Sequence, residues 1–298
     1  MPDAMQGGAV TPGVPAGSGA AGGATRMPGG AGAAAFPARG SGAVNWVGLW
    51  TLFRREVMRF FAVAAQTVVG PAVTTLLLLV VLGVVMGRRG PPQPVGGVPY
   101  LEFLAAGLVA MAMAQNAFAN TSSSLVVAKV QGNITDLLLA PLSPGEFVAG
   151  FALGGLARGL LVGAAVALAA WPFVALGLAH PAYAAFHAVC ACLLLALLGL
   201  LGGLWARKFD HLGALTSFVV TPLTFLSGTF YSVADLPAAF RVLAHANPFF
   251  YMIDGFRYGV TGHADGSLAA GAAVMLGSTV AAAVASHRLV AAGWRLTP

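Results

Sequence analysis

The sequence predicts an all-α polytopic membrane protein. It has six transmembrane helices, an interfacial amphipathic helix before the first and a re-entrant helical segment before the last. Three observations predict this. First, 58% of the 298 residues are hydrophobic and only 8% are charged, whereas a soluble domain carries roughly a quarter charged residues. Second, about six apolar runs reach the ~20 residues that cross a bilayer. Third, backbone polar groups in lipid must be satisfied within the segment, so each run is a helix. The formal net charge of +6 does not indicate nucleic acid, because the basic residues are scattered between apolar runs as membrane topology requires.

Residues 1–43 are mostly Ala, Gly and Pro. They lack the apolar surface to offset ordering entropy, so the sequence predicts a disordered tail followed by one membrane domain over 44–298. The tail has no apolar core with a cleavage site, and the first span is expected to act as an uncleaved targeting signal. In Asn45–Phe61, the residues Trp46, Trp50, Phe53, Val57 and Phe60 recur at steps of four and three. That is one face of a helix, with Arg54, Arg55 and Arg59 elsewhere, the pattern of a helix lying at the headgroup level. The spans are read as Ala62–Met86, with Pro71 inside it, Tyr100–Ser122, Arg158–Leu178, Tyr183–Trp205, Leu212–Phe230 and Ser267–Ala285. Clustered glycines, such as Gly154-Gly155 and Gly199, Gly202 and Gly203, suit close helix packing where lipid supplies no hydrophobic drive. Cys190 and Cys192, two apart in one run, face different directions and read as small core residues.

With the N-terminus inside, Arg54, Arg55, Arg59, Lys129, Arg158, Arg207, Lys208, Arg288 and Arg295 are cytoplasmic, and Arg88, Arg89, Arg241 and Arg257 are external. The bias places both termini in the cytoplasm.

The chain has no GxxxxGK[ST] loop and so no phosphate cradle of that kind. None of its nine acids falls in the middle of a span drawn above, where an ion-coupled carrier places one. The energy for a transporter would then come from elsewhere, and a separate ATPase subunit is the expected source. A polytopic membrane enzyme is the competing class. Ser227 would be its nucleophile, with His187, His245 or His263 as base, but nothing makes any pair specific, and a small-residue helix contact fits Ser227-Gly228 better. No histidines or acids have metal-ligand spacing.

Two interruptions carry the remaining information. In KVQGNITDLLLAPLSPGEFVAG (Lys129–Gly150), Gly132 breaks one element. Ile134, Leu137 and Leu138 make an apolar face with Asp136 pointing away, and Pro141, Pro144 and Gly145 stop the helix. Such a short helix docks into a partner's groove or lies on lipid. Tyr231–Gly262 is too apolar for a solvated loop and too broken by Pro237 and Pro248 to be a span and its return. It reads as two short helices dipping into the outer leaflet. Asp254 and Arg257 there are three apart and share a face. As a pair they would either gate an exit path or neutralise two costly charges.

At these residues the chain resembles the ABC-2 class of ABC exporter membrane subunits, within it the branch of nodulation-factor, polysaccharide and multidrug export permeases. The resemblance runs from about Trp46 to the C-terminus and rests on KVQGNITDLLLAPLSPGEF (129–147), PLTFLSGTFYSVADLP (222–237) and NPFFYMIDGFRYGVTG (247–262). It implies a non-enzymatic permease of the bacterial inner membrane, paired with a second copy or a paralogous permease. It also implies two ATP-binding-cassette subunits that bind the ATP and Mg, with no cofactor in this chain. The segment bearing Gly132, Asp136, Leu137, Leu138 and Pro144 would be the coupling helix. The second and fifth spans would line the path, making Gln115, Asn116, Asn120, Thr121, Thr221 and Thr224 its candidate polar groups. Tyr231, Asp254 and Arg257 would form the outer gate. The substrate class implied is drug-like, lipid-linked or saccharide.

Overall fold

The computed structural model describes residues 44–88 and 94–296. The expected disordered tail therefore lies outside the described residues, as does Arg89. The described chain is helical, with six helical segments long and apolar enough to span a membrane. In order the helices are α1 (Trp46–Phe61), α2 (Gly70–Gly87), α3 (Tyr100–Val130), α4 (Ile134–Leu139), α5 (Pro144–Ala170), α6 (Pro181–Trp205), α7 (Phe209–Leu215), α8 (Thr221–Leu226), α9 (Ala238–His245), α10 (Pro248–Thr261) and α11 (Leu268–Ala291). A π turn over Ala65–Val69 leads into α2, and a second over Thr216–Val220 joins α7 to α8 as the fifth span. Each π turn directly precedes an X-Pro step, Gly70-Pro71 and Thr221-Pro222. The wider turn makes room where proline removes a hydrogen-bond donor and crowds the preceding carbonyls.

α3 is the hub. The apolar window of α3 is 78% buried and that of α6 67%, against 11%, 17% and 22% for the first, fifth and sixth spans. Glycines let α3, α5 and α6 approach closely. A Cβ at Gly155 would come within 2.5 Å of Ala196 Cβ and 3.1 Å of Ala117 O, and one at Gly159 within 2.6 Å of Cys192 Sγ. Thr121 Oγ1 donates to Ala196 O at 2.7 Å across the same seam. Lys129 Nζ donates to Gly203 O and Leu204 O at 2.8 and 2.6 Å, satisfying the open carbonyls at the C-terminus of α6. Cys190 and Cys192 are buried thiols.

Span boundaries differ most from the sequence expectation at three points. α3 runs on to Val130, and the third span begins at Pro144 and ends at Ala170. A capping box starts α5 early: Glu146 N donates to Ser143 Oγ, and Ser143 N donates to Glu146 Oε2. Arg158 therefore stands midway along α5, not at its end. α1 runs beside the first half of α5, with Leu52 against Gly150 and Glu56 against Gly154. Its packed face is Leu52, Glu56 and Phe60; Trp46, Trp50, Arg54 and Arg55 remain exposed.

Candidate functional site

The first candidate is the α3–α4–α5 corner. Gly132 takes φ +75°, the left-handed turn that ends α3. Asn45 N donates to Glu146 Oε1 at 2.5 Å, and Asn45 Nδ2 to Pro141 O at 3.2 Å. The start of α1 is thus tied to the start of α5. Pro144 is the first residue of α5, where its missing N–H costs nothing. The structure divides the apolar face read from the sequence: Ile134 and Leu137 are buried in the chain's own core, with Leu142, and Leu138 is half-buried. The outward surface is Gly132, Asn133, Thr135, Asp136 and Leu139. Leu139, not singled out by the spacing, is 73% exposed.

The candidate path residues separate into three places. Gln115 and Asn116 face a cavity of ≈ 210 Å³ between α2 and α3, whose wall also includes Thr74 and Thr75. Asn120 is fully buried in an ionic cluster: Arg59 Nη2 donates to Asn120 O at 2.7 Å, to its Oδ1 at 3.1 Å and to Glu56 Oε2 at 3.1 Å. Ser124 Oγ donates to Glu56 Oε1 at 2.7 Å. Above this cluster, Arg158 Nη2 donates to Asn116 Oδ1 at 3.2 Å. Thr121 serves the α3–α6 seam. On the fifth span, Thr224 Oγ1 bonds its own helix at Val220 O, and Thr221 is half-buried. Spacing along α1 does not mark the cluster, because the partners of Glu56 beyond Arg59 lie on α3.

The third candidate lies beyond the fifth span. α10 has 14 residues, about 21 Å of helix, too short to cross. Asp254 and Arg257 share its buried side but make no contact ion pair, which corrects the expected pairing. Asp254 accepts from Asp265 N at 2.8 Å and Gly266 N at 3.0 Å. Arg257, 1% exposed, donates to Gly228 O at 2.7 Å, and its guanidinium lies 3.6 Å from the Phe103 ring centroid. The spacing of three permits a pair, but each residue has a better backbone partner. Burial pushes the Asp254 carboxyl above the ordinary range, while the two N–H donors and the Arg257 charge act in the opposite sense. Asn247 Nδ2 also reaches Leu223 O at 2.9 Å, so α10 holds the end of the fifth span at two points. Tyr231 OH donates to Phe225 O at 3.1 Å. A link invisible to spacing joins the neighbouring loops: Asp265 accepts from Val233 N and pairs with His263, both at 3.0 Å, and the His263 ring lies against Gly96.

Ser227 Oγ donates to Leu223 O and accepts from Asn247 Nδ2. The hydroxyl thus closes a helix end, and among the described residues no histidine bonds to it.

Residues 47–261 match the model of the family described as ABC-2 type transporter. The chain is 40% identical over 217 residues to the inner membrane transport permease YadH of Escherichia coli (strain K12), covering 73% of this chain and 84% of that protein. It is 30% identical over 235 residues to Nodulation protein J of Rhizobium leguminosarum bv. viciae (76% and 85% covered) and 28% identical over 225 to that of Sinorhizobium fredii (72% and 80%).

Proposed function

This chain belongs to the ABC-2 type transporter family, and from that premise we propose that it is the membrane permease subunit of an ATP-driven exporter in a bacterial inner membrane. The family makes it the permease component of an ABC transporter, and an ATP-binding-cassette subunit is the kind of partner such a permease works with. The finer reading is that the partner binds the ATP and Mg and this chain holds neither. Both termini face the cytoplasm, two permease chains assemble, and a drug-like, lipid-linked or saccharide substrate leaves the cytoplasm.

The observation that carries the coupling reading is the α4 corner. Two core helices, α3 and α5, meet there, and the turn between them is pinned to α1 through Glu146 and Asn45. A push on the outward surface of Thr135, Asp136 and Leu139 would reach both helices without being absorbed by a soft loop. The apolar exposed faces of the first, fifth and sixth spans support contact with membrane lipid.

The test is reconstitution of the permease with the ATP-binding-cassette subunit in vesicles. ATP hydrolysis is expected to depend on the permease and to fall when Leu139 becomes Glu. A stable permease that never binds or stimulates any such ATPase would overturn the reading.

A further inference from the structure

We propose that Arg158, with Arg59 beside it, forms a binding site for a phosphate or carboxylate group at mid-height of the helix bundle. The inference rests on the permease reading only in identifying the bearer of that group as transported cargo.

Arg158 is midway along α5 and 9% exposed, and its one hydrogen bond among the described residues is to the neutral amide of Asn116, itself midway along α3. The Arg158 Nε is buried and has no partner. A cation at that depth is costly unless paired, and intramembrane cations pair with acids or carbonyls or mark a ligand path. No acid pairs with this one: the ion pairs among the described residues are Arg59 with Glu56 and His263 with Asp265. Glu56, the acid one turn away across Gly154, is already held by Arg59, Asn120 and Ser124. Arg59 also has a buried Nε without a partner, and its side chain is 28% exposed. Arg59 therefore takes the nearby carboxylate, which leaves the Arg158 charge without a paired acid and the Nε of each arginine unfilled.

The other buried arginine shows what a purely structural cation looks like here. Arg257 Nε likewise lacks a partner, but its charge is met by the Gly228 carbonyl, the Phe103 ring and the nearby Asp254 carboxylate. Arg158 has none of these.

The surroundings also suit an amphipathic ligand. Asn116, the hydrogen-bond partner of Arg158, stands in the wall of the ≈ 210 Å³ cavity between α2 and α3. Thr74, Thr75 and Gln115 make that wall polar, and Leu78, Leu108 and Met111 continue it as an apolar surface. Arg158 does not itself line the cavity; Asn116 joins the two, so a chain held against Leu78, Leu108 and Met111 would bring its head group to the Arg158–Asn116 hydrogen bond. Guanidinium is suited to this group because its fork matches two oxygens of phosphate or carboxylate.

The experiment uses the full chain in phosphatidylcholine nanodiscs, as wild type, Arg158→Gln and Arg158→Lys, with radiolabelled dodecyl phosphate as probe and dodecyl maltoside as its uncharged counterpart. Wild type is expected to bind dodecyl phosphate saturably, and Arg158→Gln about tenfold or more weaker, the loss of one charge-assisted contact. Arg158→Lys, which keeps the charge but loses the two-pronged donor geometry, is expected to bind with an affinity between those of wild type and Arg158→Gln. Dodecyl maltoside should not distinguish the three. Competition by inorganic phosphate identifies the free ion as sufficient ligand, and its absence identifies the amphiphile; either supports the site. Equal binding of dodecyl phosphate by wild type and a folded Arg158→Gln overturns it. Should Arg158→Gln not fold, a photoreactive dodecyl phosphate is crosslinked to wild type and mapped by mass spectrometry. Labels on 112–116 or 154–162 support the site, and labels confined elsewhere overturn it. Neither measurement uses an ATPase or transport, so a failure of the exporter reading would leave this result standing.

Discussion

Asp254 and Arg257 should behave as two separate anchors, and a double-mutant cycle separates that from an ion pair. Arg257→Gln removes the hydrogen bond to Gly228 O at 2.7 Å and the stacking over Phe103 at 3.6 Å. A hydrogen bond from a charged group contributes ~1.5–3 kcal/mol and a desolvated cation–π contact ~1–2 kcal/mol. Relief of the buried charge offsets part of this, leaving an expected loss of about 2–4 kcal/mol. Asp254→Asn keeps the shape, but its amide oxygen accepts from only one of Asp265 N and Gly266 N while the NH₂ faces the other, a loss of about 1–3 kcal/mol. Their partners differ and only long-range attraction links the two side chains, so the coupling should stay below about 1 kcal/mol and the double mutant should be the least stable of the three. Reversible unfolding in mixed detergent micelles, followed by tryptophan fluorescence, reads all four free energies. A double mutant as stable as either single mutant would restore the ion pair and refute the reasoning.

Other outcomes follow from the same geometry. Leu139→Glu should weaken co-purification with the ATPase by a hot-spot amount, about 2 kcal/mol or more, with the permease folded, whereas Leu137→Glu should destabilise the permease itself in a thermal melt, since Leu137 is buried in its own core. Gly199→Ala should cost about 1–3 kcal/mol by overpacking, because the added Cβ meets Phe118 O and Thr121 Oγ1; Gly213→Ala, with nothing within 4 Å, should be neutral or gain about 0.5–1 kcal/mol, and mixed-micelle unfolding compares the two. With Cys190 and Cys192 replaced by Ala, a cysteine at Ala239 should react with an impermeant thiol reagent in intact cells, and cysteines at Val44 and Ala292 should not; the reverse pattern would invert the orientation.

The spans were legible because hydropathy in lipid is a one-dimensional property: a helix satisfies its own backbone, so a run of apolar residues needs no partner to declare itself. The family was legible for a related reason, since its motifs sit in the two interruptions that hydropathy cannot explain. Span ends were less so. The Ser143-x-x-Glu146 capping box was present in the sequence and marks where α5 begins. It was passed over because Arg158 was taken as the charged edge of the span. The apolar face of α4 was legible, but not what it packs against. In ITDLLL, the helical period puts Ile134, Leu137 and Leu138 on one side and Asp136 on the other, as in the structure. Periodicity cannot say that this face turns into the chain's own core and leaves Leu139 outward.

The polar residues inside the bundle escaped for a deeper reason. A charge within a span is read through its nearest neighbours in sequence, whereas the cost of burying it is settled by contacts from other helices. Asp254 and Arg257 are three apart, yet their partners are Gly266 and Gly228. Glu56 lies on a helix rich in arginine, yet Asn120 and Ser124, more than sixty residues away, help to hold it. Counting cations to orient the chain assigns Arg158 to a membrane surface, and that same count removes it from any search for a buried site. Only when α5 is seen to begin at Pro144 does Arg158 move to mid-height. Its unpaired charge then follows from what Glu56 already binds. The rule that orients membrane proteins thus conceals the kind of residue, an intramembrane cation, that most often marks function.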